Sequence, residues 1–123
     1  MRRLPLLLVI SILLAQTMWA DANQVYRRGY DAKQSGNFKE SITRCLEAAQ
    51  LARAEQNSLT EYSSYYVASF SAHFASKHYD CIDYATKALA ISKENADQQW
   101  AQRPIQKIFT VELLGLIERA YST

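Results

Sequence analysis

Apolar and polar positions follow the period of an α-helix along most of this chain. Between residues 38 and 52, Phe38, Ile42, Cys45, Leu46, Ala49 and Ala52 recur on one helical face. Asn37, with Glu40 three residues later, has the form of a capping box that closes the free N–H groups of such a helix. Ser35-Gly36-Asn37 is a tight-turn sequence, and before it Asn23–Ser35 reads as a short helix carrying Val25, Tyr26, Gly29, Tyr30, Ala32 and Lys33. The stretch Gly29–Ala49 is therefore the heart of a helical hairpin, too short to bury its apolar face without a neighbour.

The pattern continues in the same terms. The second helix runs to about Gln56 and is broken by Asn57-Ser58, where Ser58 and Glu61 form a second capping-box pattern. The third, Leu59–Ser76, places Tyr62, Tyr66, Phe70 and Phe74 four residues apart, a helical spacing despite their strand propensity. Lys77-His78-Tyr79 is a turn, with Asp80 in the first turn of a fourth helix reaching about Ala96. Its inner face would be Ile82, Ala85, Leu89 and Ser92. Residues 97–103, around Trp100, read as a loop or a frayed continuation. Pro104 then opens a fifth helix, where its missing N–H does no harm. Ile105, Ile108, Phe109, Leu113, Leu116, Ile117 and Ala120 give that helix an apolar face. The expected class is all-α: two hairpins and a closing helix.

Composition changes this picture only at the start of the chain. Arg2 and Arg3 precede an almost wholly apolar Leu4–Leu14, and Ala20-Asp21-Ala22 fits a small-x-small cleavage pattern. Residues 1–22 read as a signal peptide, leaving a domain over 23–123; cleavage after Ala20 is the alternative. An uncleaved anchor is the competing reading, but eleven apolar residues fall short of the roughly twenty a span needs. The expected location is exported, periplasmic or secreted, with no membrane span after cleavage. The 14 Lys and Arg lose Arg2 and Arg3, and the 12 Asp and Glu lose Asp21, which leaves 12 against 11. Without net basicity, nucleic-acid binding is excluded as an expectation. Gly (3) and Pro (2) are too scarce to mark a linker or a second domain.

The two hairpins overlay at an offset of 40 residues: Ser41-Ile42, Cys45 and Ala48-Ala49 correspond to Cys81-Ile82, Ala85 and Ala88-Leu89. On these residues, with Gly29, Gly36 and Phe38, the chain resembles the tetratricopeptide repeat (TPR) family. That motif has one glycine late in the first helix, another seven residues on, an aromatic after it and small residues along the second helix. The second hairpin fits less well, with Ser69 and Ser76 in place of the glycines and Tyr79 one residue out of register. Leu114-Gly115 resembles the first half of a third unit. The resemblance implies about two and a half TPR-like units in a short right-handed α-solenoid. Gly29 and Gly115 would admit close helix approach, and Ser41, Ala48, Cys81 and Ala88 would keep the crossings tight.

It also implies a concave groove, lined by the first helix of each unit, that holds a segment of a partner protein. Carried over, Tyr26, Tyr30, Lys33 and Gln34 line it from the first unit, and Ser63, Tyr66, Phe70 and His73 from the second. The closing helix would add Phe109, Glu112, Leu116 and Arg119. Tyrosines suit recognition because they combine contact area with a polar tip; the same aromatics could equally fill the core. Tyr30 and Tyr66 are the expected exposed pair. Chaperone adaptors of this family grip a terminal carboxylate with basic and amide groups, where this chain has Tyr26, Tyr30 and Val67; the resemblance does not extend to them.

Candidate chemistry is sparse. Cys45 and Cys81 are the only cysteines. An exported chain could join them, which would stabilise it by about 3–4 kcal/mol, or bury both as thiols. His73, His78, Asp80, Cys81 and Asp83 match no zinc spacing, and no metal or other cofactor is expected. Glu47, Glu55, Glu61 and Glu94 read as solvated helix faces, and no nucleophile–base pair or phosphate loop is present. The expectation is a non-enzymatic exported interaction module: an adaptor, assembly factor or inhibitor. The alternative is a structural module that self-associates into a homo-oligomer through the fifth helix.

Overall fold

The computed structural model describes residues 20–122. The signal-peptide and anchor readings fall mostly on residues 1–19, which lie outside the described residues. The chain is an all-α stack of helical hairpins: α1 (Ala22–Gln34), α2 (Phe38–Ala54), α3 (Ser58–Phe74), α4 (His78–Glu94) and α5 (Pro104–Tyr121). A 3₁₀ turn over Gln99–Gln102 joins α4 to α5. Each helix packs on the next, and α3 also touches both α1 and α5. The first helices of successive hairpins therefore share one face of the stack.

The repeat is finer than the 40-residue offset. Helices α2, α3 and α4 each have 17 residues and begin 20 residues apart. The turns before them are copies. Gly36, Gln56 and Ser76 adopt positive φ of 81°, 57° and 59°. In each the next N–H, of Asn37, Asn57 or Lys77, donates to the carbonyl of Ala32, Ala52 or Ala72 at 2.8 Å. Ala48, Ala68 and Ala88 occupy the same place in the three helices and are wholly buried. A methyl there lets each helix sit close on its neighbours.

Capping departs from the expected boxes. Asn37 Oδ1 accepts from Glu40 N, but the Asn37 N–H is already committed to the turn and Glu40 pairs with Arg44 at 3.3 Å. Asn57, not Ser58, caps α3 by accepting from Thr60 N. Ser58 instead donates to Gln98 Oε1 and accepts from Trp100 Nε1, which pins the 3₁₀ turn and buries Trp100. A reciprocal box closes α1, between Asp21 and Gln24. Helix α4 begins at His78, two residues before Asp80, and its buried face is Cys81, Tyr84, Ala85, Ala88 and Ile91. The predicted Ile82, Leu89 and Ser92 are half-buried at its edge.

Gly29 meets expectation: a Cβ there would lie 2.5 Å from Cys45 Sγ and 3.3 Å from the Ser41 carbonyl. Gly115 does not, since a Cβ would meet only Arg119 Nη2 at 3.6 Å. Phe38 stacks on Phe74 across the α2–α3 contact, with ring centroids 5.3 Å apart. Ser41 Oγ and Ser71 Oγ hydrogen-bond at 2.8 Å in the same interface, so the small residue at 41 is also a polar tie. Cys45 and Cys81 are unbonded, each fully buried in its own helix contact, and no disulfide joins them.

Candidate functional site

The face shared by α1, α3 and α5 carries most of the expected groove residues. Four-residue spacing on α3 sets Tyr62, Tyr66 and Phe70 along one side, and α5 brings Phe109 against them. Tyr66 is the hub. Its ring lies 5.0 Å from Phe70, 5.0 Å from Phe109 and 6.2 Å from Tyr62, all tilted as aromatic quadrupoles prefer. Its hydroxyl donates to Glu112, and burial with that carboxylate beside it pushes the phenol well above its usual range. The expected exposure of Tyr66 is thus only partial. Tyr30 is 41% exposed, and Gln34 Nε2 donates to its hydroxyl at 3.3 Å.

Lys33 bridges the two helices. Its ammonium lies 5.9 Å from the Tyr30 ring centroid and 5.7 Å from that of Phe70. Tyr26 is half-buried behind Tyr30, rings 6.3 Å apart, and burial lifts its phenol to about 12. His73 lies one turn beyond Phe70, half-buried, with its ring 5.4 Å from Phe74. Ser63 is half-buried on α3 and Arg119 exposed on α5. Leu116 is a correction: it is wholly buried in the core and lines no groove. Behind the face, Tyr62 is buried against Trp100 at 5.2 Å, and its hydroxyl lies beside the equally buried Gln106 amide.

Sequence reasoning did not anticipate the Tyr66–Glu112 hydrogen bond, because contacts across 46 residues leave no local signal. It also misread one carboxylate. Glu61 is buried and reaches Arg53 at 3.5 Å, and desolvation raises its pKa against the pull of that cation. Glu55 Oε1 accepts from the Ala22 N–H at 3.3 Å, tying α1 to the end of α2.

The concavities lie elsewhere and are shallow. One of about 420 Å³, lined by Arg53, Gln56, Ser58, Glu61, Glu94 and Gln98 among others, opens at the turn end of α2–α4. Another of about 420 Å³ surrounds Lys77–Asp80. Neither combines an enclosed apolar volume with convergent polar groups, as small-molecule sites do. Among the described residues no group of three His, Cys, Asp or Glu side chains is placed to hold a metal ion. No described helix is long and apolar enough to cross a membrane. The thiols are poor nucleophiles, because burial pushes Cys45 up to about 12 and raises Cys81.

Fold and site together define the class: an all-α stack of helical hairpins with an aromatic face along its first helices. No family model, curated protein or solved structure matches the chain.

Proposed function

We propose that this chain is a non-enzymatic, exported interaction module of TPR-like build that binds a segment of a partner protein across the α1–α3–α5 face. The observation that carries the reading is Lys33, an ammonium held between the Tyr30 and Phe70 rings at 5.9 and 5.7 Å. Among the described residues it closes no ion pair, so its charge is open to an acidic group while the rings offer an apolar floor. The expected ligand is an extended or helical segment with an apolar side chain next to a carboxylate. An open aromatic surface without an enclosed cavity suits such a segment better than a small molecule. An adaptor, assembly factor or inhibitor would use a face of this kind, and the leader read in the sequence would bring it to an exported partner.

The test is capture from the native envelope or secreted fraction, with the bound protein identified by mass spectrometry. Tyr30→Ala and Lys33→Glu should each lower its recovery at least tenfold, while Lys87→Glu on α4 leaves it unchanged. Helicity should be the same in all three, since Tyr30 is exposed and Lys33 half-buried. Equal recovery by wild type and both face variants would remove this reading.

A further inference from the structure

Helix α5 packs one face against the other described helices and carries exposed residues on the other. Gln106, Leu113, Leu116 and Ala120 point inward and are buried. Pro104, Lys107, Val111, Leu114, Glu118 and Tyr121 are exposed. These six recur at alternating steps of three and four residues, the spacing of a coiled-coil seam. Val111 is 68% exposed, Leu114 53% and Tyr121 74%, with Ile108 (54%) alongside. Single exposed apolar residues are ordinary, but three in register on one helix with a fourth beside them make a stripe.

Gly115 borders that stripe and supplies an independent observation. Among the described residues nothing needs its missing side chain, because a Cβ there would find ordinary contact with Arg119 Nη2 alone. A mid-helix glycine destabilises by about 1 kcal/mol relative to alanine. A half-buried glycine at the border of an exposed stripe has a use where another helix approaches from outside.

We infer that a second copy of this chain covers the stripe, α5 against α5, antiparallel about a twofold axis passing between Glu112 and Leu113. That axis sets Val111 against Leu114 of the second copy, Lys107 against its Glu118, and Pro104 against its Tyr121, each contact occurring twice. Ile108 falls beside Gly115 of the second copy, where no side chain obstructs it. Charge decides the direction. A parallel pairing would set Lys107 against Lys107 and Glu118 against Glu118, whereas the antiparallel one makes two opposite-charge layers. Among the described residues neither group closes an ion pair within its own chain. A self-complementary patch is what a twofold interface requires. One helix pair buries less than the roughly 800 Å² per partner of a standard interface, so the dimer is weak and concentration-dependent.

This inference does not rest on the groove reading. Phe109 and Glu112 face the other side of α5, toward α3. Sedimentation velocity of the purified chain from about 10 to 300 µM should show reversible dimerisation. Lys107→Glu and Glu118→Lys should each weaken it at least tenfold, and the double variant should restore it. Both residues are exposed, so circular dichroism should be unchanged. A chain that stays monomeric through about 300 µM overturns the inference, whether the face is bare or covered by residues 1–19. So does a dimer indifferent to both single swaps.

Discussion

Gly29 and Cys45 mark a close approach between α1 and α2: a Cβ on Gly29 would sit 2.5 Å from the Cys45 sulfur. The backbone of α2 leaves little room to yield, with Cys45 N at 3.2 Å and the Ser41 carbonyl at 3.3 Å. Alanine would gain helix propensity worth about 1 kcal/mol but force the helices apart. We expect Gly29→Ala to destabilise by a net 1–3 kcal/mol or so in urea denaturation. Cys45→Ala should cost less on its own and recover part of the loss in the double variant, as coupled neighbours do. Purely additive losses would mean that the sulfur is not what the glycine accommodates.

Much of this packing could be read from the chain before any coordinates. Gly29, Gly36 and the spacing of Phe38, Ile42 and Cys45 specify a hairpin, because small residues and a 3.6 period act locally. The 20-residue interval was legible too, in Ala48, Ala68 and Ala88 and in Asn37 and Asn57, but the 40-residue overlay hid it by skipping every second helix. Other features were not legible. Nothing near Gly115 in sequence tells whether a helix lies against it, and nothing near Leu116 distinguishes groove from core. Glu61 looks solvated because its burial comes from helices remote in sequence. The aromatic face was half legible: its members were on the right helices, but the Tyr66–Glu112 bond that turns Tyr66 inward depends on α5.

The three turns before α2, α3 and α4 hold the same positive-φ position with different residues, which makes them an internal comparison. A Cβ at Gly36 would meet nothing within 4 Å, so the value of this glycine is conformational alone. Gly36→Ala should therefore destabilise by about 1 kcal/mol through strain. Gln56→Gly and Ser76→Gly, at φ 57° and 59°, should instead each stabilise by a few tenths to about 1 kcal/mol. Thermal melts of the three variants check the pattern. Destabilisation by both glycine substitutions would show that their side chains contribute more than the backbone strain costs.

Alkaline pH should weaken the fold earlier than ordinary phenol titration would. Cys45, Tyr26 and Tyr62 are each raised to about 12 by burial, from 9.0 for the thiol and 10.0 for the phenols. The folded state keeps protons that the unfolded chain has released, so stability is complete below about pH 9. It then falls as pH rises through the unfolded values toward 12. Cys45 alone contributes a slope of up to about 1.4 kcal/mol per pH unit in that window. Guanidinium midpoints measured at intervals across it should fall steadily, and Cys45→Ala should flatten the first part of the fall. A constant midpoint over that range would contradict the burial of these groups.

The first helix also bears on where an exported form would begin. A leader over residues 1–22, as read from the sequence, would permit cleavage after Ala20 or after Ala22, and the small-x-small pattern of Ala20-Asp21-Ala22 favours the latter. Helix α1 argues the other way. Asp21 is its N-cap, accepting from Gln24 N at 2.9 Å while Gln24 Oε1 accepts from Asp21 N. Ala22 is wholly buried, and its N–H donates to Glu55 Oε1. A cut after Ala22 removes the cap, worth about 1 kcal/mol, together with a buried methyl and a tie to α2. A cut after Ala20 keeps all three. We expect the intact mass of protein recovered from the exported fraction to correspond to a chain starting at Asp21. A start at Asn23 would count against this assignment. In that case a recombinant chain beginning at Asp21 should still be the more stable by roughly 1–2 kcal/mol in a direct comparison.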